Sequence, residues 1–317
     1  MPLRHQGLPR HDARTEALKT MSLPMLHWGT EALWQQLEPL LPGLSVEVVP
    51  ATRSTNTMLL ERARALPDTA SDSGDVIVGR SIESAAFGRR AIDLQPCLLV
   101  AEHQTAGRGR QGRAWQSAVG ASLTFSLALP LAATDWSGLS LAVGVALCEA
   151  LEAADSGTRI GLKWPNDLWL IGPDGSGRKL GGVLIETVPA GAQRLAIIGV
   201  GLNVRPFSTV ELNTGFASIS EFDPAATAPG VLARIAVPLV QALQHFERAG
   251  FAAFAERFAS RDVLRGKRVR TTQPGVPEGV ARGVSAQGAL LVQSDAGIAT
   301  VSSGEVSVRP AGESPAA

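Results

Sequence analysis

The chain has 317 residues, 45% apolar and 18% charged, with 29 Lys and Arg against 29 Asp and Glu. That length suits about two domains of roughly 100–200 residues each, and that apolar share supports a packed core rather than global disorder. A net charge of zero argues against a generic binder of nucleic acid or anionic membrane.

Residues 1–24 are polar, with several Pro, Arg and His, and read as a poorly ordered extension with alternative starts at Met21 and Met25. They lack the apolar run of a signal peptide. TEALWQQLEPLL (30–41) predicts one short amphipathic helix with Thr30 as its N-cap. SVEVV (45–49) alternates like a strand, and RSTNTMLLERARAL (53–66) reads as a polar turn entering a helix. PDTASDSGD (67–75) is a loop by composition, followed by strands at VIVGR (76–80) and CLLVAEHQ (97–104).

SLTFSLALP (122–130) places Leu123, Phe125, Leu127 and Leu129 on one strand face. LSLAVGVALCEALEA (139–153) is a mostly apolar helix of the kind that packs on a sheet. Residues 160–188 read as strand, Pro turn, strand, Gly-rich turn and strand, and RLAIIGVGLNV (194–204) as a further strand. Residues 231–259 predict one or two helices, broken near Pro238 or Gly250. From Lys267 to Arg309, short strands separated by Gly or Asp predict a small β-barrel. The two cysteines, Cys97 and Cys148, fall on a strand and a helix without metal-type spacing. With no disulfide framework and no stretch of ~18 apolar residues, a cytoplasmic protein off the membrane is expected.

HQTAGRGRQGRAW (103–115) interleaves Arg108, Arg110 and Arg113 with Gly107, Gly109 and Gly112, and satisfies G-x-G-x-x-G. A dinucleotide loop must open a helix, whereas RAWQSAVGAS and then a strand follow here. Arginine–glycine segments that bind nucleic acid sit in long low-complexity tracts, not between two strong strands. The charge spacing alone leaves a solvated surface loop open.

Other polar clusters decide. RSTN (53–56) offers two hydroxyls and an amide on one turn; KWPND (163–167) carries a lysine between an apolar strand and a proline turn. GRKLGG (177–182) and GVGLN (199–203) put glycines on adjacent strands. Together with AEHQTAGRGRQGRAW, KWPNDLWL, RKLGGVLIE and IGVGLNV, these stretches resemble the biotin protein ligase family, in the family's order over roughly residues 45–205.

The resemblance implies an α/β (α+β) fold: a ligase core related to class II aminoacyl-tRNA synthetases, with a mixed sheet, and a small C-terminal SH3-like β-barrel. The expected division is an extension over 1–44, partly disordered with one short helix, a catalytic domain over 45–262 and the barrel over 263–312. The implied reaction joins biotin to ATP as biotinyl-5′-AMP, releases pyrophosphate, and passes biotin to a lysine of a carboxylase's biotin carboxyl carrier domain. ATP, biotin and Mg²⁺ are the implied small molecules.

Bringing a carboxylate against a triphosphate needs fixed cations, and arginine forks suit both anions. A neutral ureido ring needs neutral donors and acceptors. By resemblance, biotin contacts fall at Ser54, Thr55, Asn56, Gln104, Arg108, Gly109, Arg110 and Lys163. Lys163 and Arg110 carry catalysis, and Trp115 lies near the adenine. No metal ligand is assigned, although Asp167 and Glu186 are candidates for Mg²⁺ or for a supporting role. The loop 105–117 is expected to be open without ligand and ordered over the reactive adenylate.

Each of these residues also has a plainer reading. Ser54 to Asn56 suit a helix N-cap, Lys163 a surface lysine, Trp164 and Trp169 the core, and Asn166 and Asp167 the turn after Pro165. Some members of the family also repress transcription through an N-terminal winged helix-turn-helix. About 45 residues with one credible helix precede the core here, so no DNA partner is expected. A monomer and a homodimer both fit. The alternatives are a lipoate or octanoate ligase or transferase of the related core, and a non-catalytic biotin-binding module.

Overall fold

The computed structural model describes residues 26–64, 85–87, 95–152, 159–190, 193–207, 215–273, 275–276, 278–302 and 308–310. The strand expected at 76–80 and the extension 1–24 lie outside them.

Helix α1 (Thr30–Leu37) buries Leu33 and Leu37, spaced four apart, and ends four residues short of the expectation. Pro39 cannot donate to the preceding turn, and Gly29, in a left-handed conformation at φ 56°, takes the N-cap place expected of Thr30. β1 (Ser45–Thr52) leads into α2 (Thr55–Arg64), which is followed by β2 (Ala85–Phe87) and β3 (Cys97–Gln104). Two short strands, β4 (Gly107–Arg108) and β5 (Ala114–Trp115), pair only with each other. β6 (Ser122–Pro130), α3 (Leu139–Leu151), β7 (Arg159–Lys163), β8 (Asp167–Ile171), β9 (Gly177–Ala190) and β10 (Gln193–Asn203) complete the large sheet and its helical backing.

That sheet has eight strands in the order β2-β1-β3-β6-β10-β9-β8-β7. Only β1 and β3 run parallel; every other neighbouring pair is antiparallel, so the sheet is mixed as expected. Its central strand β6 is buried on both faces, not one, because both sides of the sheet are covered there.

On one face, Leu98, Val100, Leu123, Phe125, Leu127, Ile198 and Val200 pack with α3 and with α4 (Ala228–Ala249). Pro238 lies within α4 without ending it, and Gly250, at φ 64°, marks its end. Four buried side chains flank Pro238 (Ile235, Ala236, Leu239 and Val240), and their packing outweighs the one helix hydrogen bond that proline cannot make. A short α5 (Ala255–Ala259) follows. On the opposite face, Leu59, Leu60 and Ala63 of α2 cover Cys97, Leu99, Ala128, Val188, Leu195 and Ile197. α2 covers only part of that face. By the two-residue period of a strand, Thr124, Ser126, Gly182, Leu184, Glu186, Gly199 and Gly201 continue it beyond the helix N-terminus.

The C-terminal module comprises β11 (Arg268–Thr271), β12 (Glu278–Val284), β13 (Leu290–Ser294), β14 (Gly297–Val301) and β15 (Val308–Pro310). These form an antiparallel sheet in the order β14-β13-β12-β11-β15. Among the described residues its end strands β14 and β15 are not paired with each other, so the expected barrel is seen as an open sheet. Its buried Val269, Ala281, Leu290 and Val292 are continuous with the main core. The Trp164 indole donates to Gly288 O at 2.9 Å, tying the module to the turn after β7. No helix among the described residues is long and apolar enough to cross a membrane.

Candidate functional site

Two polar clusters lie along the part of the sheet that α2 does not cover, separated by glycine. The first is built on the turn from β1 into α2. Ser54 accepts from Thr57 N at 3.4 Å, so it caps the helix as its plainer reading required. Thr55 donates twice to Gln104 Oε1, from its backbone N at 2.8 Å and from its hydroxyl at 3.2 Å. Ser54, Thr55, Asn56 and Gln104 are all buried, at 3% to 8% exposure, which is costly for polar groups unless they are bonded or meet a ligand. With its oxygen occupied twice, Gln104 faces any ligand through its amide N–H donors.

Asn56 reaches across the sheet. Its Nδ2 donates to Leu184 O at 3.2 Å and to Glu186 Oε2 at 3.0 Å, while the Ser126 hydroxyl lies 2.5 Å from its Oδ1 and 2.6 Å from Thr55 Oγ1. That approach requires Gly199: a Cβ there would stand 2.2 Å from Asn56 Oδ1. Arg108 extends from the arginine–glycine segment to Glu186 at 3.1 Å and to Thr57 Oγ1 at 3.2 Å, so its charge is already matched by a carboxylate.

The arginine–glycine segment is a hydrogen-bonded ribbon rather than an irregular loop. Gly107 pairs with Trp115 and Arg108 with Ala114, and Gly109 N donates to Arg113 O at 2.7 Å. Between them Arg110–Gly112 makes a 3-10 turn with Gln111 at φ 55°. Gly109 therefore has its N–H committed within the ribbon. The Trp115 ring lies against β10 where a Cβ on Gly201 would meet it at 2.5 Å, and its Nε1 is buried with no partner.

The second cluster stands on the β7–β8 hairpin. Lys163 and Asp167 are cross-strand partners. The Lys163 side chain is 5% exposed, with its Nζ 4.2 Å from the centre of the Trp169 ring. Asp167 bonds Lys179 Nζ at 2.7 Å, and Lys179 in turn lies 6.0 Å from the Trp115 ring. Burial pushes the Arg110 guanidinium below its ordinary value, while nearby Asp167 opposes the shift and Arg113 adds to it. A partly desolvated arginine and a buried lysine on one rim form an environment in which an anion gains more than in water.

The structure thus gathers Ser54, Thr55, Asn56, Gln104 and Arg108 at one end, and Lys163, Arg110 and Trp115 at the other. Sequence reasoning missed Ser126 and Lys179. Ser126 had a signal, since Ser122, Thr124 and Ser126 alternate along an otherwise apolar strand. Lys179 lay in the quoted GRKLGG stretch, but its role comes from the pairing of β9 with β8, which sets it opposite Trp169 and lets its Nζ reach Asp167.

A mixed sheet that carries a buried neutral cluster and a neighbouring Lys163–Arg110 pair, followed by a small C-terminal sheet, is the arrangement expected of a ligase of the biotin and lipoate class. A model of the biotin/lipoate A/B protein ligase family matches residues 89–203, and one of the biotin protein ligase C-terminal domain matches residues 266–309. The bifunctional ligase/repressor BirA of Escherichia coli is 33% identical over 281 residues, covering 86% of this chain and 76% of that protein. The biotin--[acetyl-CoA-carboxylase] ligase of Mycobacterium tuberculosis is 30% identical over 287 residues, covering 88% and 91%. A solved biotin protein ligase from Aquifex aeolicus in complex with biotin and ATP has a TM-score of 0.63 at 25% identity, covering 84% of this chain and 99% of that one. The chain belongs to the biotin protein ligase family of enzymes.

Proposed function

We propose that the protein activates biotin with ATP to biotinyl-5′-AMP, releasing pyrophosphate, and then transfers biotin to a lysine of a biotin carboxyl carrier domain. The observation that carries this reading is the pairing, along one sheet face, of a buried neutral cluster with a buried Lys163 and a half-buried Arg110. Ser54, Thr55, Asn56 and Gln104 suit the ureido head, which both donates and accepts. The glycine-lined floor suits the apolar rings and chain. Lys163 and Arg110 draw the biotin carboxylate and the α-phosphate together and stabilise the charge that builds in transfer. Arg108 and Gly109 close the ribbon over the ligand, and Trp115 supplies a flat surface and an indole donor for adenine.

Magnesium enters with the nucleotide as the counter-ion of its phosphates. Among the described residues no group of three His, Cys, Asp or Glu is built to hold it unaided. The domain division is read as 1–44, 45–262 and 263–312. A cytoplasmic location fits two buried cysteines, Cys97 and Cys148, that form no disulfide, and the active form is a monomer or homodimer. DNA binding is not part of this reading.

The test is to incubate the protein with biotin, ATP, Mg²⁺ and a carrier domain, and to map the modified lysine by mass spectrometry. Biotin on one lysine is the expected product. Lipoate or octanoate as the better substrate would move the enzyme to the related ligases. Biotin binding without modification or pyrophosphate release would make it a binding module.

A further inference from the structure

Asn56 lies buried over Gly199 at the start of α2 with a side-chain amide, and an amide can face a ligand in two ways. The carbonyl oxygen accepts and the NH₂ donates, so the orientation decides which ligand atom is recognised. Ser126 does not decide it, because a hydroxyl serves either end. The other neighbours do. Leu184 O at 3.2 Å and Glu186 Oε2 at 3.0 Å are both acceptors and both take hydrogens from Nδ2. A flipped amide would set its oxygen against two acceptors. Of the two, the carboxylate makes the stronger bond, because it carries charge.

Glu186 can sit at 22% side-chain exposure because Arg108 neutralises it at 3.1 Å from its other oxygen. One carboxylate therefore spans from the arginine–glycine ribbon to the Asn56 amide over Gly199. Both donors of Asn56 are used within the protein, and only its oxygen has capacity left.

Resting on the biotin reading above, we propose that Glu186 is a positioning residue that fixes Asn56 as an acceptor for a ureido N–H. It does not touch the ligand. It sets the polarity of the site, so that a ligand presenting an acceptor at that point is rejected.

The test uses biotin and its two cyclic carbamate isomers, each with one ureido N–H replaced by a ring oxygen. Binding of all three to the full chain is measured by calorimetry. In the wild type, one isomer should bind roughly 100-fold more weakly than biotin, because its oxygen would face Asn56 Oδ1. In Glu186→Ala only Leu184 O still requires a donor from Asn56, since Ser126 serves either end of the amide, so the amide can turn to donate and that ratio should fall to roughly 10-fold or less. Glu186→Gln retains an acceptor for Asn56 Nδ2 and should recover most of the discrimination.

A ratio is insensitive to a general loss of stability, so a merely structural role would leave it unchanged. If Glu186→Ala fails to fold, Glu186→Asp, too short to reach Asn56, should show the same collapse. An unchanged ratio in the Ala or Asp variant overturns the proposal, as does equal binding of biotin and both isomers to the wild type. In either case biotin binding itself would stand. Failure of the wild type to bind biotin at all would instead remove the functional reading, and this inference with it.

Discussion

Asn56 lies so close to β10 that the residue beneath it can have no side chain. A Cβ on Gly199 would come within 2.2 Å of Asn56 Oδ1 and 2.9 Å of its Cγ, distances that no real Cβ contact tolerates. Gly199→Ala should therefore displace the amide while leaving the α2 packing of Leu59 and Leu60 in place. Loss of one or two buried hydrogen bonds to ligand predicts biotin affinity weaker by about 10-fold or more, with ATP affinity far less affected. Calorimetric titration of the variant with each ligand checks this, and equal losses for both would contradict it. Ser54, Thr55, Asn56, Gln104 and Lys163 were named from the sequence because each sits in a stretch that resembles the biotin protein ligase family. Glu186 was legible only as a carboxylate of undecided use. Its contacts to Asn56 and Arg108 span 130 and 78 residues of chain, a relation that no local pattern records.

Among the elements, β3 and β6 came out of the sequence with their observed bounds, Cys97–Gln104 and Ser122–Pro130, because apolar runs between turn residues mark a central strand well. α1 was expected too long, since its apolar spacing continues past Pro39 although the helix does not. The β4–β5 ribbon was not foreseen at all. Two-residue strands have no periodicity, and this pair is stabilised by Trp115 packing on a distant strand. The ribbon has few backbone hydrogen bonds of its own, so it opens locally more readily than β6. Hydrogen exchange across residues 105–117 should be faster than in β6 and should slow markedly when biotin and ATP are both present. Exchange unaffected by the two ligands would contradict a closing ribbon.

The whole molecule joins its large sheet to the C-terminal module through a single continuous core, and the connection carries one unusual charge. Asp262 pairs its backbone beside Leu162 on the edge strand β7. Its Oδ1 accepts from Leu264 N at 2.9 Å, but its Oδ2 is buried without a partner. Burial raises the Asp262 carboxyl above its ordinary value, against the opposing pull of the Leu264 and Arg265 amides and of Arg265 and Lys267. The native protein thus keeps this proton at pH values where the unfolded chain has released it. Stability from this group is greatest at low pH and is lost as pH rises from about 4 through the raised native value. Asp262→Asn keeps the acceptor for Leu264 N and removes the titration. Its melting temperature relative to wild type should therefore increase as pH rises, and a pH-independent difference would count against this assignment. The docking itself was not legible in the sequence, which showed two units in series. The Trp164–Gly288 bond that ties them joins residues 124 apart.

The central claim is that the buried Lys163, beside Asp167 and over Trp169, assists attack of the biotin carboxylate on the nucleotide. The most direct measurement is biotin-dependent pyrophosphate release from ATP by the wild type and by Lys163→Ala, with circular dichroism confirming that both are folded. The wild type should release pyrophosphate only when biotin is present, and the variant should lose at least about 100-fold in rate, as for other fixed charges that stabilise a transition state. Near-normal release by a folded Lys163→Ala, or release that does not depend on biotin, would contradict the account.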